Sequence, residues 1–194
     1  MGVCCVLYAV RDATLAEVLA DPPLVWQVID ADDASAYLRE IGVGARRSWF
    51  ARLFGAPPAA PKVRALAFSE HERQMADLDK SWDGLNACLL ACRPDVPGLF
   101  DGSGKIGKVE VGYGPALWHR SETMLQIAEA YLSVTDAELL QALRTADLSK
   151  RYLADVWKRG DPDAVSYLVE HFAELRCFLQ HTREHSLGAI LQYT

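Results

Sequence analysis

Two short apolar segments bracket this chain. Residues 3–10 are apolar and β-branched enough to run as a buried strand, and residues 189–193, just after Gly188, have the same character. Most of what lies between them has the spacing of helices. That order predicts an α+β fold: one domain over residues 1–194, with the N- and C-terminal strands in one small sheet and several helices packed on a face of it. The chain has 194 residues, about half of them apolar, so it can bury a sizeable core without disulfides or metals.

The clearest helical signals lie in the last third. Ser121 is placed to cap residues 122–131. Thr135 and Glu138 have capping-box spacing and open a helix through Arg144. Residues 147–158 read as a further helix that Gly160 stops. Asp161-Pro162 then starts the longest one, with Val165, Leu168, Val169, Phe172, Leu175, Phe178 and Leu179 on one face. Nearer the start, residues 12–20 form a short helix with Thr14 and Glu17 at capping-box spacing. Residues 24–41 read as helix with Trp26, Ile29 and Leu38 turned inward, and residues 46–54 as another. The run Gly55-Ala-Pro-Pro-Ala-Ala-Pro61 is the best candidate hinge. From Ser69 the pattern predicts helix through Met75, Leu78, Trp82, Leu85 and Leu89, spaced mostly three or four apart. Residues 93–115 hold so many Gly and Pro that a long irregular segment is expected, with a short strand at 108–111.

The bulk charge excludes some functions. A formal net charge of −6 speaks against nucleic-acid binding, which needs clustered Lys and Arg. No apolar run is long enough to span a bilayer, and Met1-Gly2-Val3-Cys4-Cys5 lacks the basic start of a secretory signal. The five cysteines include no Cys-x-x-Cys pair, so reduced thiols in a cytoplasmic protein are expected.

Two central segments are the most specific: Leu78-Asp79-Lys80-Ser81-Trp82-Asp83-Gly84-Leu85-Asn86 and Gly112-Tyr113-Gly114-Pro115-Ala116. With Val156-Trp157 ahead of the long helix, and with the apolar segments at both ends, they make the chain resemble the YfbM-like family over nearly its whole length. These are small bacterial α+β proteins whose defining domain has unknown function. The resemblance implies a fold and a cytoplasmic bacterial setting, and no reaction. Two departures stand out. Asn86 occupies a position where the family commonly has His, and Ala154-Asp155 stand where it often has Tyr-Pro. Any chemistry carried by that His would be lost here.

The catalytic motifs are weak. Gly102-Ser103-Gly104-Lys105-Ile106-Gly107 matches a dinucleotide fingerprint literally, but no helix follows to receive a pyrophosphate. Cys88 and Cys92, and His181 and His185, each pair on a helical face, while zinc needs four converging ligands. No nucleophile elbow is present. Asp77, Asp79 and Asp83 read as caps and helix-dipole partners. The most interesting constellation is Lys80, Trp82, Asp83 and Asn86, with Tyr113 and His119. It would line a shallow pocket if the Gly112–Pro115 turn packs on the Trp82 helix. The competing reading makes Trp82 a core anchor and the turn a demand of the fold. No catalytic residue, metal or cofactor is assigned.

Two functions follow. The favoured one is a non-enzymatic module that binds an unidentified protein partner, an immunity or antidote protein being one form. The alternative is an enzyme or small-molecule binder using the Gly-rich loop 98–115 and the Trp82 helix. Neither nucleic acid nor membrane is expected as a partner, and the oligomeric state is left open.

Overall fold

The computed structural model describes residues 2–29, 35–42, 64–146, 148, 151–159 and 162–194. It holds five strands: β1 (Cys5–Val10), β2 (Met75–Asp77), β3 (Gly104–Glu110), β4 (Pro115–His119) and β5 (Gly188–Tyr193). Among the described residues there are eight α-helices. They are α1 (Asp12–Ala20), α2 (Val25–Ile29), α3 (Ser35–Glu40), α4 (Trp82–Cys92), α5 (Ser121–Leu132), α6 (Asp136–Thr145), α7 (Ala154–Arg159) and α8 (Pro162–Glu184). The strands form one sheet in the order β2-β1-β5-β4-β3, with every neighbouring pair antiparallel. The α+β class and the shared sheet of the first and last strands are as the sequence predicts.

The sheet differs from expectation in being covered on both faces. Alternation along β1 sends Cys5, Leu7 and Ala9 to one side and Tyr8 and Val10 to the other. β5 does the same with Ala189 and Leu191 against Ile190. The first side is the larger core, where Leu85, Leu89, Met124, Ile127, Phe172, Leu175 and Phe178 arrive from α4, α5 and α8. The second side holds Leu15, Val18, Leu24, Val25, Val28 and Tyr37 from the N-terminal helices, with Ile106 and Val109 of β3. Two central strands with no polar face explain why both read as continuous apolar runs.

Several elements depart from the sequence reading. The helix expected from Ser69 is a turn followed by β2, and α4 begins only at Trp82. Arg73 and Asp79 take positive φ, 69° and 42°, which no helix tolerates, and Met75, Ala76 and Asp77 pair with Tyr8, Leu7 and Val6. The segment 93–115, expected to be irregular with a short strand at 108–111, holds β3 over Gly104–Glu110 and the turn that leads into β4. The helix expected at 24–41 is two short pieces, with positions 30–34 outside the described residues. So are the helix expected at 46–54 and the hinge at 55–61. Of the helix expected at 147–158, Ala154–Arg159 is helical, and positions 147, 149, 150, 160 and 161 lie outside the described residues.

The caps divide as well. The Thr135–Glu138 capping box is present in full. Thr14 makes none: it is buried, and its side chain bonds Glu72. Ser121 does not cap α5 either. Its backbone N–H and its hydroxyl both donate to the Asp12 carboxylate, at 2.9 and 2.7 Å, so the start of α1 satisfies the start of α5. The five cysteines are free thiols, and no helix among the described residues is long and apolar enough to cross a membrane.

Gly84 gives a test in which two effects have opposite signs. Ala normally gains about 1 kcal/mol over Gly inside a helix. Here a Cβ would stand 2.8 Å from the Trp157 indole and 3.2 Å from Leu168. The indole is buried and cannot yield, so Gly84→Ala is expected to destabilise by about 1–3 kcal/mol. Urea unfolding that shows a gain in stability would contradict this packing.

Candidate functional site

The candidate site is the end of the sheet where β1 begins and β5 finishes. Cys4 and Thr194 extend that pairing by exchanging both backbone hydrogen bonds, at 2.8 and 3.0 Å. Asp79 closes the other flank, its carbonyl accepting from Cys5 N–H. Asp is one of the few residues that adopt a left-handed backbone readily, and this turn aims its carboxylate at the strand end. The carboxylate accepts from the Cys4 thiol at 2.9 Å and from the Tyr167 hydroxyl of α8 at 2.7 Å. The same hydroxyl accepts from Lys80 N–H at 3.0 Å. The His171 ring lies 4.3 Å from that of Tyr167, and its Nδ1 meets the Tyr167 carbonyl.

The electrostatics follow from these bonds. Donation by Cys4, then by Tyr167, holds the Asp79 carboxyl below its ordinary range. In return the hydrogen bond to Asp79 and burial raise the Cys4 thiol. Burial and the same carboxylate raise the Tyr167 phenol. At neutral pH the cluster is therefore one carboxylate between a protonated thiol and a protonated phenol. Cys4 is kept from the thiolate that a nucleophile needs.

The structure brings most of the sequence candidates to this end. Trp82 donates its indole N–H to the Val3 carbonyl at 2.9 Å, and its ring meets Tyr193 edge-on with centroids 4.9 Å apart. Asp83 is buried and accepts from Tyr152 N–H at 2.5 Å, with Arg151 at 3.4 Å. Asn86 is also buried, and its Oδ1 has no hydrogen-bond partner among the described residues. Tyr113 N–H donates to the Tyr193 carbonyl at 2.7 Å, while its side chain stands 56% exposed. Gly112 permits this approach, since a Cβ there would lie 2.1 Å from the Tyr193 carbonyl oxygen. The Gly112–Pro115 turn thus reaches the Trp82 helix through Tyr193. His119 is engaged elsewhere. It is buried, with Nδ1 2.9 Å from Ser103 Oγ and Nε2 2.8 Å from the Leu99 carbonyl, and burial lowers its pKa.

The other motifs lose their chemical reading. Gly102 packs on Leu117, Gly104 opens β3, and Gly107 lies against Pro22, so a strand follows where a phosphate cradle needs a helix. Burial pushes the Cys88 thiol up to about 12, and Cys92 Sγ contacts the Glu138 carbonyl. Among the described residues no three His, Cys, Asp or Glu side chains are arranged to hold a metal ion. Two surface grooves, of about 230 and 260 Å³, lie beside Ser121, Leu125 and Arg183 and beside Cys92, Glu138 and Gln141. Neither is lined by Lys80, Trp82, Asp83, Asn86, Tyr113 or His119. Cys4, Tyr152 and Tyr167 are the members of the site that sequence reasoning missed. Asp79 sat within a specific segment and was read as a cap, but no local signal joins it to a tyrosine 88 residues away.

A five-stranded antiparallel sheet centred on its first and last strands, with helices on both faces and a hydrogen-bonded carboxylate at one end, defines a compact α+β domain. More particularly, the chain belongs to the family described as "Domain of unknown function (DUF1877)", whose model matches residues 1–192. No curated protein and no solved structure matches it.

Two substitutions test this geometry. Asp79→Asn keeps the left-handed turn accessible and removes the charge that suppresses the Cys4 thiolate. Alkylation of Cys4 at pH 8, followed by peptide mass spectrometry, should run several-fold faster than in the wild type; an unchanged rate would mean that the bond to Asp79 does not govern the thiol. Trp82→Ala removes the packing on Tyr193 and the bond to Val3, and should cost about 3 kcal/mol. A variant that melts like the wild type would rule out Trp82 as an anchor.

Proposed function

We propose that this protein is a non-enzymatic module that works by binding another protein, and that it is a YfbM-like member of its family acting in the cytoplasm of a bacterium. One observation carries the reading. Cys4, Asp79, Asp83 and Tyr167 are committed to internal bonds, while two tyrosines at the same end of the sheet are not buried. Tyr113 is 56% and Tyr152 43% exposed. They flank the first strand: Tyr152 accepts from Val3 N–H through its hydroxyl, and Tyr113 is tied to Tyr193 beside the Cys4–Thr194 pair. Partly buried Lys80 lies beside Tyr152, both side chains being close to Gly2. Tyrosine is enriched at protein interfaces because it offers a large rigid surface with a polar tip. An antidote that covers and neutralises a toxin is one form such a module takes.

The alternative is a small-molecule binder or enzyme using the Trp82 helix and the loop 98–115. It draws support from the buried, unpaired Asn86 Oδ1, which is costly unless something donates to it.

The test is a tagged pull-down from the native cell with native mass spectrometry, run in parallel on wild type, Tyr113→Ala and Tyr152→Ala. Under the binding reading, a stoichiometric protein comes down with wild type and is lost from either variant while the melting temperature holds. Recovery of a small molecule without a protein partner would reverse the ranking. A partner retained equally by all three would move the interface elsewhere.

A further inference from the structure

Three of the five histidines meet at one place that the sequence keeps far apart. His71 lies in the turn Ser69–Gln74 that leads into β2, His181 lies in the last turn of α8, and His185 directly follows that helix. The rings of His71 and His185 are stacked, with centroids 3.7 Å apart and planes 11° from parallel. His181 lies 4.7 Å from His185 and 6.3 Å from His71. His181 Nε2 is also 2.7 Å from the His71 carbonyl. A carbonyl only accepts, so Nε2 carries the proton and Nδ1 is the site for a second.

We propose that this cluster is a proton-operated clasp, which holds the Ser69–Gln74 turn and the β2 edge strand on the body of the protein while its imidazoles are neutral and releases them when more than one is charged. Imidazole is the side chain whose charge changes between pH 5 and 8. A neutral ring stacks well on a neutral or a single charged ring. Two charged rings 3.7 Å apart repel, and at that separation the repulsion persists although the His71 side chain is 44% exposed and water weakens it.

The surrounding charges fit one proton better than two. On the turn, Glu70 Oε1 lies 3.2 Å from His71 Nε2, and Arg73 is over the Phe68 ring. Glu72 faces the other way, to Arg11 and Thr14. On α8 the nearby charges are Arg183 and Glu184, the latter bonded to Gln180, with Glu174 further up bonded to Asp77 N–H. The carbonyl end of α8 and the Glu70 carboxylate offer one imidazolium a partner. Nothing among these described groups offers a second one a carboxylate of its own.

Hinges stand on both sides. Arg73 and Ser186 have positive φ, 69° and 53°, a conformation that non-glycine residues hold only when their surroundings enforce it. Glu72 is not the acid-sensitive element. Burial alone would raise its carboxyl, but donation from Ser69, Thr14 and Arg11 outweighs this and holds it low. It therefore stays ionised through pH 5.5, and the sign of the effect belongs to the histidines. Release of β2 would free the edge of β1 at Val6–Tyr8.

The experiment is amide hydrogen exchange on the whole protein at pH 7.5 and 5.5, corrected for intrinsic exchange. The reporters are Ala9, Arg73 and Leu78 N–H, which bond Gln74, Ala9 and Cys5 carbonyls across this edge. In the wild type their protection should fall about tenfold or more at the lower pH, while amides in the β1–β5 pairing keep theirs. In His71→Gln, and separately in His185→Gln, the ratio between the two pH values should return to one, even if the substitution loosens the turn at both. Equal protection of the wild type at both values would overturn the proposal, and so would a His71→Gln variant that opens at pH 5.5 as the wild type does.

Discussion

Burial of β1 and β5 on both faces is the constraint on which the rest of this structure depends. A strand with two apolar faces must be sandwiched, and so helices had to be recruited to each side from different parts of the chain. The N-terminal helices cover one side and the C-terminal ones the other. Register is then fixed tightly, because a slip of one residue would exchange the two cores. Within this apolar centre a chain of polar groups serves as a gauge. Tyr8 donates to Gln192 Oε1, and Gln192 Nε2 donates to the Val111 carbonyl. These bonds are made only when β1, β5 and the end of β3 are aligned.

The polar groups at the end of the sheet follow from that alignment. Where β1 begins and β5 finishes, backbone groups need partners and side chains meet water. Asp79 and Tyr167 meet this need with a shared set of hydrogen bonds, and Asp83 does the same for the Tyr152 amide. A charged carboxylate taking bonds from neutral donors is a stable arrangement that stiffens its surroundings. It also leaves little free reactivity, which is why the exposed tyrosines carry more functional weight than the acids beside them.

How much of this was legible depended on the length and period of each element. The long apolar stripe of α8 and the reciprocal cap at Thr135 are local signals, and both were read correctly. β2 was not. Three residues cannot show a period, and Met75 and Leu78 happen to fall at helical spacing ahead of Trp82. Only the left-handed turns at Arg73 and Asp79, set by contacts distant in sequence, separate strand from helix there. β4 was hidden in the same way among glycines and prolines. At the site, the segment holding Asp79, Lys80 and Trp82 stood out from sequence, whereas Cys4 and Tyr167 join it through tertiary structure alone. Close approaches force the glycines at Gly84 and Gly112, whereas those at 102–107 imitate a nucleotide loop that the absence of a following helix already ruled against.

The register of the two central strands also sets an order of events in time. Cys5 pairs with Tyr193 and Val10 with Gly188, so β1 waits for a partner strand translated long after it. Throughout elongation β1 is an apolar ribbon with its best neighbour still missing. Contacts of such long sequence separation make for slow, all-at-once closure. The N-terminal helices can shelter one side of β1 early; the other side depends on α8 and β5 leaving the ribosome.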